Sequence, residues 1–501
     1  MIRLPPVQHV YCIIIKKETG GRSEVQICIL MKVSLYKIFA VIVVGIIAGL
    51  LPILYPQVLP LNMVQHTLLV IFALAATAWL CEPIPVYATS LAIMGALTLL
   101  ISDSSITPIR NYIIESKGGD LLSYKGILNS FSSPIIILFL GGFALAIGSS
   151  KYKLDVTLAK ILLKPFGSGP RRVMLGVMTI TGCFAMFMSN TATAVMMLAM
   201  MTPVLSSIDK SDRGIKAMVL SIPFAANIGG IATPIGTPPN AIALAYLTGD
   251  NTISFGQWVV YALPIALVCI VATWIVLNVI FPFKEKKIEV TIKSEFNKDW
   301  RTLTVYATFI VTILLWMTEK WHGVNSYVVA LIPIIAFTTT GVMKAPDIKT
   351  MNWDVIWLIA GGIALGDALS KTGLAEVLAH IVDYSKLNIF MIIVSVCTIG
   401  WLISNFISNT ATANLMIPII FAVLSTISAT NPETLGTFSI SSIVMAAALA
   451  MSFAMTLPIS TPPNSLAYAT GLIKNRDMML GGGIVSVMCL GINILALYLF
   501  K

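Results

Sequence analysis

The sequence predicts an all-α polytopic membrane protein, with about 11 transmembrane helices and two re-entrant helical hairpins arranged as an inverted repeat. Three observations lead there. The 501 residues are 57% hydrophobic and only 11% charged, whereas about a quarter of the residues of an ordinary soluble chain are charged. Apolar runs close to the roughly 20 residues that cross a bilayer recur along the whole chain. Four motifs in the first half return, in the same order, in the second.

Single spans are expected near residues 37–54, 67–81, 87–101, 134–150, 258–281, 303–317, 327–342, 355–369 and 479–500. Four other apolar regions are interrupted. Those at 172–207 and 388–428 are too long for one span and carry a polar run midway. Those at 216–248 and 439–471 carry a Pro-Pro-Asn run nearer their C-terminal ends.

Charge decides how the long regions run. If each enters the bilayer and returns to the same side, and the N-terminus is cytoplasmic, there are 11 full crossings and the C-terminus is outside. The cytoplasmic segments are then the N-terminal arm with Lys37, and 151–172, 208–216, 284–301, 343–353 and 474–477. They hold 25 of the 32 Lys and Arg residues, as the positive-inside rule requires. A single crossing at 172–207 would force the basic segment 284–301 outside. The hairpin reading is preferred.

The repeat is plain. Trp79–Glu82 answers Trp316–Glu319, and Gly141–Gly142 answers Gly361–Gly362. Ser189–Thr193 answers Ser408–Thr412, and Thr237–Asn240 answers Thr461–Asn464. The offsets are 237, 220, 219 and 224. In the expected topology one half starts outside and the other inside, so the halves are inverted. Many secondary transporters are built this way, with the site near the midplane between the repeats. The expected organisation is an arm at 1–36, a first helix at 37–64, a first repeat at 65–283, a linker at 284–300 and a second repeat at 301–501. Met31 opens a run that reads like a natural start.

The interrupting runs suggest their own chemistry. Irregular backbone at membrane depth is tolerated only inside protein or beside a wet cavity. Ser189-Asn190-Thr191 and Ser408-Asn409-Thr410 should be hairpin tips. A helix that stops leaves carbonyls for a hard cation, and one that restarts offers N–H groups and a positive dipole end to an anion. In the Thr-Pro-Pro-Asn runs, Pro238–Pro239 and Pro462–Pro463 enforce unwinding. No Lys or Arg lies in any of the four motifs. A buried dianion without a formal positive charge is costly, so co-bound cations are expected to supply it.

These motifs resemble the divalent anion:sodium symporter family, over roughly residues 37–501. The resemblance implies a sodium-coupled carrier of C4-dicarboxylates such as succinate, malate or fumarate, with citrate or sulfate as alternatives. It implies an elevator motion and a homodimer. It assigns Ser189, Asn190 and Gly236 to a first sodium site and Ser404, Asn409 and Ser460 to a second. Asn190, Thr191, Thr237, Asn409, Thr410, Thr461 and Pro462 become the carboxylate-binding set. Ala185 and Ser460 stand where some members carry serine and alanine.

Other functions find less support. The net charge of +10 sits in short loops rather than a basic tail, which argues against nucleic acid. His9, His66, His322 and His380 are isolated, so neither a metal set nor a nucleophile with its base is visible for an enzyme. The seven cysteines are scattered singly and are expected to be mostly free and buried. Membrane-buried carboxylates mark proton relays, but Glu82, Glu319, Asp354 and Asp367 lie near span ends. That favours sodium over protons.

Overall fold

The computed structural model describes residues 35–209, 211–288, 299–380 and 388–499. The expected arm, with His9, Cys12 and Cys28, and most of the expected linker lie outside the described residues.

The chain runs through α1 (Leu35–Leu54), α2 (Met63–Cys81), α3 (Val86–Ile101), α4 (Pro134–Lys151), α5 (Leu154–Leu163), α6 (Pro170–Ala185) and α7 (Asn190–Ser207). It continues through α8 (Gly214–Gly230), α9 (Pro238–Tyr246), α10 (Phe255–Ile280) and α11 (Trp300–Met317). α12 comes in two pieces, Ser326–Val329 and Leu331–Thr339. Then follow α13 (Trp353–Lys371), α14 (Leu374–His380), α15 (Ile389–Phe406), α16 (Asn409–Thr430), α17 (Ile440–Ser452), α18 (Pro462–Ala469) and α19 (Asn475–Leu499). Among the described residues, nine helices are long and apolar enough to cross a membrane, and five shorter apolar helices accompany them. With α8–α9 and α17–α18 each counted once and the pairs α6–α7 and α15–α16 set aside as hairpins, the element order has the eleven crossings expected.

Local sequence explains the ends. Asn62 and Gln65 form a reciprocal capping box at the start of α2, and Ser254 and Gln257 do the same for α10, which satisfies backbone donors a helix start leaves open. The break in α12 was not foreseen. Pro333 has no N–H to give the carbonyl of Val329, so the helix loosens at Ala330. Also unforeseen were the short helices Thr107–Glu115 and Tyr124–Asn129, and α5 and α14, which follow α4 and α13 at matching places in the two halves.

The halves interlock. α3 packs on α13 and α4 packs on α12, so each half inserts a helix into the other. A Cβ at Gly141 would sit 2.4 Å from the carbonyl oxygen of Ala330, and one at Gly361 would sit 2.4 Å from the Cβ of Ser90. These two contacts are counterparts under the repeat. Small residues let backbones approach where lipid supplies no hydrophobic drive for helix association. Trp79 and Trp316, both buried, each donate their indole N–H to the start of the next helix, at Val86 and Ser326.

Helix ends meet in two groups. Lys151 pairs with Asp347 at 2.6 Å, and Lys216 with Asp477 at 2.8 Å. Hydrogen-bonded to Lys151, the Asp347 carboxyl is held below its usual range. Asp212 accepts from the backbone N–H groups of Lys284 and Glu285, and Ile288 donates to Ser168. Each of these contacts joins two segments expected on the cytoplasmic side. Ser441 donates to the carbonyl of Asn251, and Gln65 to that of Thr372; these join segments expected outside. Among the cysteines, Cys269, Cys397 and Cys489 are buried, as expected, while Cys183 on α6 is exposed, because its face of the helix is not covered by protein.

Candidate substrate and cation site

The hairpin tips restart their helices in the same way. Ser189 (φ −61°, ψ 140°) and Ser408 (φ −64°, ψ 140°) are extended N-caps. Each accepts a hydrogen bond at 3.2 Å from the backbone N–H three residues on, Ala192 and Ala411. Asn190-Thr191 and Asn409-Thr410 thus form the first turns of α7 and α16, where helix N–H groups point outward and the dipole end is positive. Ser189 through Thr191 and Ser408 through Thr410 are half-buried.

The Thr-Pro-Pro-Asn runs also restart helices. Thr237 (φ −145°, ψ 144°) and Thr461 (φ −142°, ψ 149°) are N-caps, with proline in the first turn of α9 and α18, where the missing N–H costs nothing. The asparagine that ends each run is a clamp. Asn240 Nδ2 donates to the carbonyls of Gly230, Ile231 and Thr233, and Asn464 Nδ2 to those of Met455 and Leu457. Both asparagines are fully buried, and these bonds hold the unwound strands that proline alone would leave loose. Asn240→Ala and Asn464→Ala are each expected to cost about 1–3 kcal/mol by stranding buried carbonyls. Asn464→Asp should cost more than Asn464→Ala, since carboxylate oxygens would face carbonyl oxygens. Thermal unfolding in detergent measures both.

Around Gly236 lies the first candidate cation cradle. A Cβ there would lie 2.4 Å from the carbonyl oxygen of Gly230 and 2.8 Å from that of Ala185. A Cβ at Gly230 would lie 2.4 Å from Asn190 Oδ1. That Oδ1 is buried and accepts no hydrogen bond among the described residues. Carbonyls ending α6 and α8 and an unpartnered amide oxygen therefore gather at one spot, and these are the donors a sodium ion takes. Ala185 carries no hydroxyl and presents its backbone carbonyl here. Thr233 ties this strand to the hairpin by donating to the carbonyl of Met186.

The second cradle uses a different tie. Ser460 stands where Gly236 does in the first half, and its hydroxyl donates to the carbonyl of Asn405 at 2.8 Å while accepting from Leu457 N–H at 3.1 Å. Ser404 Oγ donates to Asn409 Oδ1 at 3.1 Å, and Asn405 Oδ1 accepts from Thr456 N–H at 3.1 Å. Met186 and Asn405, whose carbonyls receive the two hydroxyls, are themselves repeat counterparts.

A direct link joins the halves. Asn190 Nδ2 donates to Asn227 Oδ1 at 3.5 Å, and Asn227 Nδ2 donates to Thr461 Oγ1 at 3.1 Å. α7 packs on α18, and α16 packs on α9, so each hairpin arm lies against the broken helix of the opposite half. No hydrogen bond among the described residues engages the hydroxyls of Thr191, Thr237 or Thr410. Pro462 is exposed, while Thr237, Thr461, Ser404 and Ser460 are buried. Asn190 meets the strand that leads to Gly236 at Gly230, and Ser404 bonds Asn409; no hydrogen bond among the described residues joins Asn190 to Asn409. Asp367 is more than half exposed and pairs with Lys371 at 3.3 Å, at a helix end as expected.

Sequence reasoning missed Asn227, Asn405, Thr233 and the clamp role of Asn240 and Asn464. It also missed Asp155 at the start of α5. That residue lines a cavity with Cys183, Phe187 and Met188, just before the first tip, and burial pushes its carboxyl up to about 6. The signal for Asn227 was present: a lone amide in the apolar stretch of α8, where a polar side chain within a span marks function.

Comparison with known proteins supplies an independent line. The profile of the family described as Citrate transporter matches residues 69–440 and 313–501. An uncharacterized transporter of Schizosaccharomyces pombe is 31% identical over 81% of this chain and 46% of its own length. The inorganic phosphate transporter PHO87 of Saccharomyces cerevisiae is 29% identical over 89% of this chain and 47% of its own. The chain thus spans about half the length of these two relatives. The sodium-dependent dicarboxylate transporter SdcS of Staphylococcus aureus is 28% identical over 91% of this chain and 90% of its own. The crystal structure of the YdaH transporter of Alcanivorax borkumensis superposes with a TM-score of 0.55 at 13% identity, over 86% of this chain and 98% of that one; this likeness concerns the fold alone.

Proposed function

This chain belongs to the citrate transporter family, within the divalent anion:sodium symporters, and from that premise we propose that it imports a small dianion, a C4-dicarboxylate such as succinate, malate or fumarate, together with two or more sodium ions. It is an integral membrane transporter rather than an enzyme. One observation carries the reading of its site: Asn190 Oδ1 is buried, accepts no hydrogen bond among the described residues and lies beside Gly230, next to the carbonyls that face Gly236, among motifs that hold no Lys or Arg. Such an oxygen, beside backbone carbonyls, suits a cation. The cation in turn offsets the charge of an anion that would otherwise meet only neutral donors.

In this reading Ser189, Asn190 and Gly236, with the carbonyls of Ala185 and Gly230, hold one sodium. Ser404, Asn409 and Ser460 hold another. The hydroxyls of Thr191, Thr237, Thr410 and Thr461, the N–H groups of the restarting helices and the exposed face of Pro462 receive the carboxylates. The N-terminus is cytoplasmic and the C-terminus outside, with repeats at 65–283 and 301–501. The hairpins and broken helices move as a body against the remaining helices in an elevator cycle, in a homodimer. The paired loop contacts support sorting these segments into two ends of the bundle, and the excess of Lys and Arg at one end supports placing that end in the cytoplasm.

A second reading has one observation in its favour. The relative PHO87 is an inorganic phosphate transporter, and hydrogen phosphate is also a dianion. Citrate and sulfate remain alternatives from the same family. The test is uptake of labelled succinate, citrate, sulfate and phosphate by proteoliposomes carrying the full chain, in sodium and in choline. Succinate accumulation driven by a sodium gradient and lost in choline is expected. Uptake of succinate unchanged in choline would refute sodium coupling, and uptake of phosphate alone would transfer the assignment to that anion.

A further inference from the structure

Asn227 sits on α8, 1% exposed, and makes two bonds that reach different parts of the site. Its Oδ1 accepts from Asn190, and its Nδ2 donates to Thr461 Oγ1. Each bond restricts what its partner can do next.

Thr461 Oγ1 also accepts from the backbone N–H of Asn464 at 3.3 Å. A hydroxyl has one hydrogen and two acceptor positions. With both acceptor positions engaged, Thr461 can only donate, which is the polarity an anion needs. Asn190 has its amide nitrogen held by Asn227, so its orphaned Oδ1 is turned toward the carbonyls of the first cradle. One amide thereby sets a donor facing the anion and an acceptor facing the cation. The second half has no counterpart: at the repeat offset of 224 stands Met451, and Asn409 Oδ1 already accepts from Ser404.

We infer that Asn227 is a positioning residue that couples the first cation to the anion, by fixing the orientation of Asn190 in one half and of Thr461 in the other. The inference rests on the sodium-and-dianion reading above and deepens it. It makes the hydrogen-bonded part of the coupling asymmetric: the first cradle reaches the anion through Asn227, whereas the second acts on it through charge alone.

Asn227→Asp separates the two bonds. The carboxylate still accepts from Asn190 and adds negative charge beside the first cradle, but it takes the hydrogen of Thr461 away from the anion. Binding of ²²Na⁺ and of labelled succinate to the purified full-length protein is read by scintillation proximity. The variant is expected to bind sodium at least as tightly as the parent and succinate about tenfold more weakly or worse, the loss of one hydrogen bond to a charged group. Labelled phosphate should show the same split. Should Asn227→Asp fail to fold, Asn227→Val carries the test: sodium then tightens succinate binding less than in the parent. A variant that binds succinate like the parent, or one in which sodium and succinate weaken in equal proportion, overturns the inference and leaves the transport reading standing. A parent protein whose binding of both anions is indifferent to sodium overturns both.

Discussion

Asn190→Ala is expected to abolish sodium-dependent uptake while leaving expression and membrane insertion intact, and Asn409→Ala to do the same. Each asparagine lies in the first turn of a helix that restarts inside the protein, and each brings an oxygen to a cradle with no formal charge of its own. Hydrogen bonds to charged groups contribute about 1.5–3 kcal/mol, so losing one ligand lowers sodium affinity about 10- to 100-fold. The anion then loses its counter-charge as well. Alanine at position 190 has a second effect, because it releases Asn227 and leaves a buried carbonyl-type oxygen without its donor. Binding of ²²Na⁺ and gradient-driven uptake, measured on the same preparations, check this. Full activity in either variant removes that residue from the site.

Gly229→Ala is expected to lower thermal stability and sodium affinity together. A Cβ at Gly229 would lie 2.3 Å from both the Cα and the carbonyl oxygen of Gly182. Both contacts are with backbone, so no side chain can turn aside. Overpacking ordinarily costs about 1–3 kcal/mol, and here the relief must come from moving hairpin arm α6 away from α8. Those helices end at Ala185 and Gly230, whose carbonyls meet at Gly236. Prising them apart therefore opens the first cradle. The second is built from other elements and should keep its ion. A variant with unchanged melting temperature and full sodium binding would show that the seam has slack the geometry denies.

Much of this arrangement was legible in the sequence because broken helices advertise themselves. Within a bilayer, a Ser-Asn-Thr or Thr-Pro-Pro-Asn run inside an apolar stretch has few structural uses, and its repetition at offsets of 219 and 224 identifies the pairs. Helix positions followed from length and hydropathy, with ends displaced by a few residues where caps such as Asn62 or Ser254 began a helix earlier than its apolar run. The parts that stayed hidden depend on partners distant in the chain. Asn227 is an isolated amide until Thr461 is brought beside it. Asn240 and Asn464 read as the polar ends of a motif, and only the folded strands reveal that they grip carbonyls. The loosening of α12 at Ala330 was not legible from Pro333 alone, because Pro52, Pro203, Pro223, Pro264 and Pro418 lie inside helices that run on unbroken. The helices α5 and α14 are too short and too mixed in polarity for periodicity to outline them.

The glycine seams that join α4 to α12 and α13 to α3 bear on how the molecule comes into being. A nascent chain ordinarily completes its N-terminal unit before the next emerges, but here Gly141 finds Ala330 only after nearly two hundred further residues have left the ribosome. Until then the leading half rests in the lipid with this close groove unfilled. Assembly is accordingly a late, joint event of both halves rather than a sequence of finished parts.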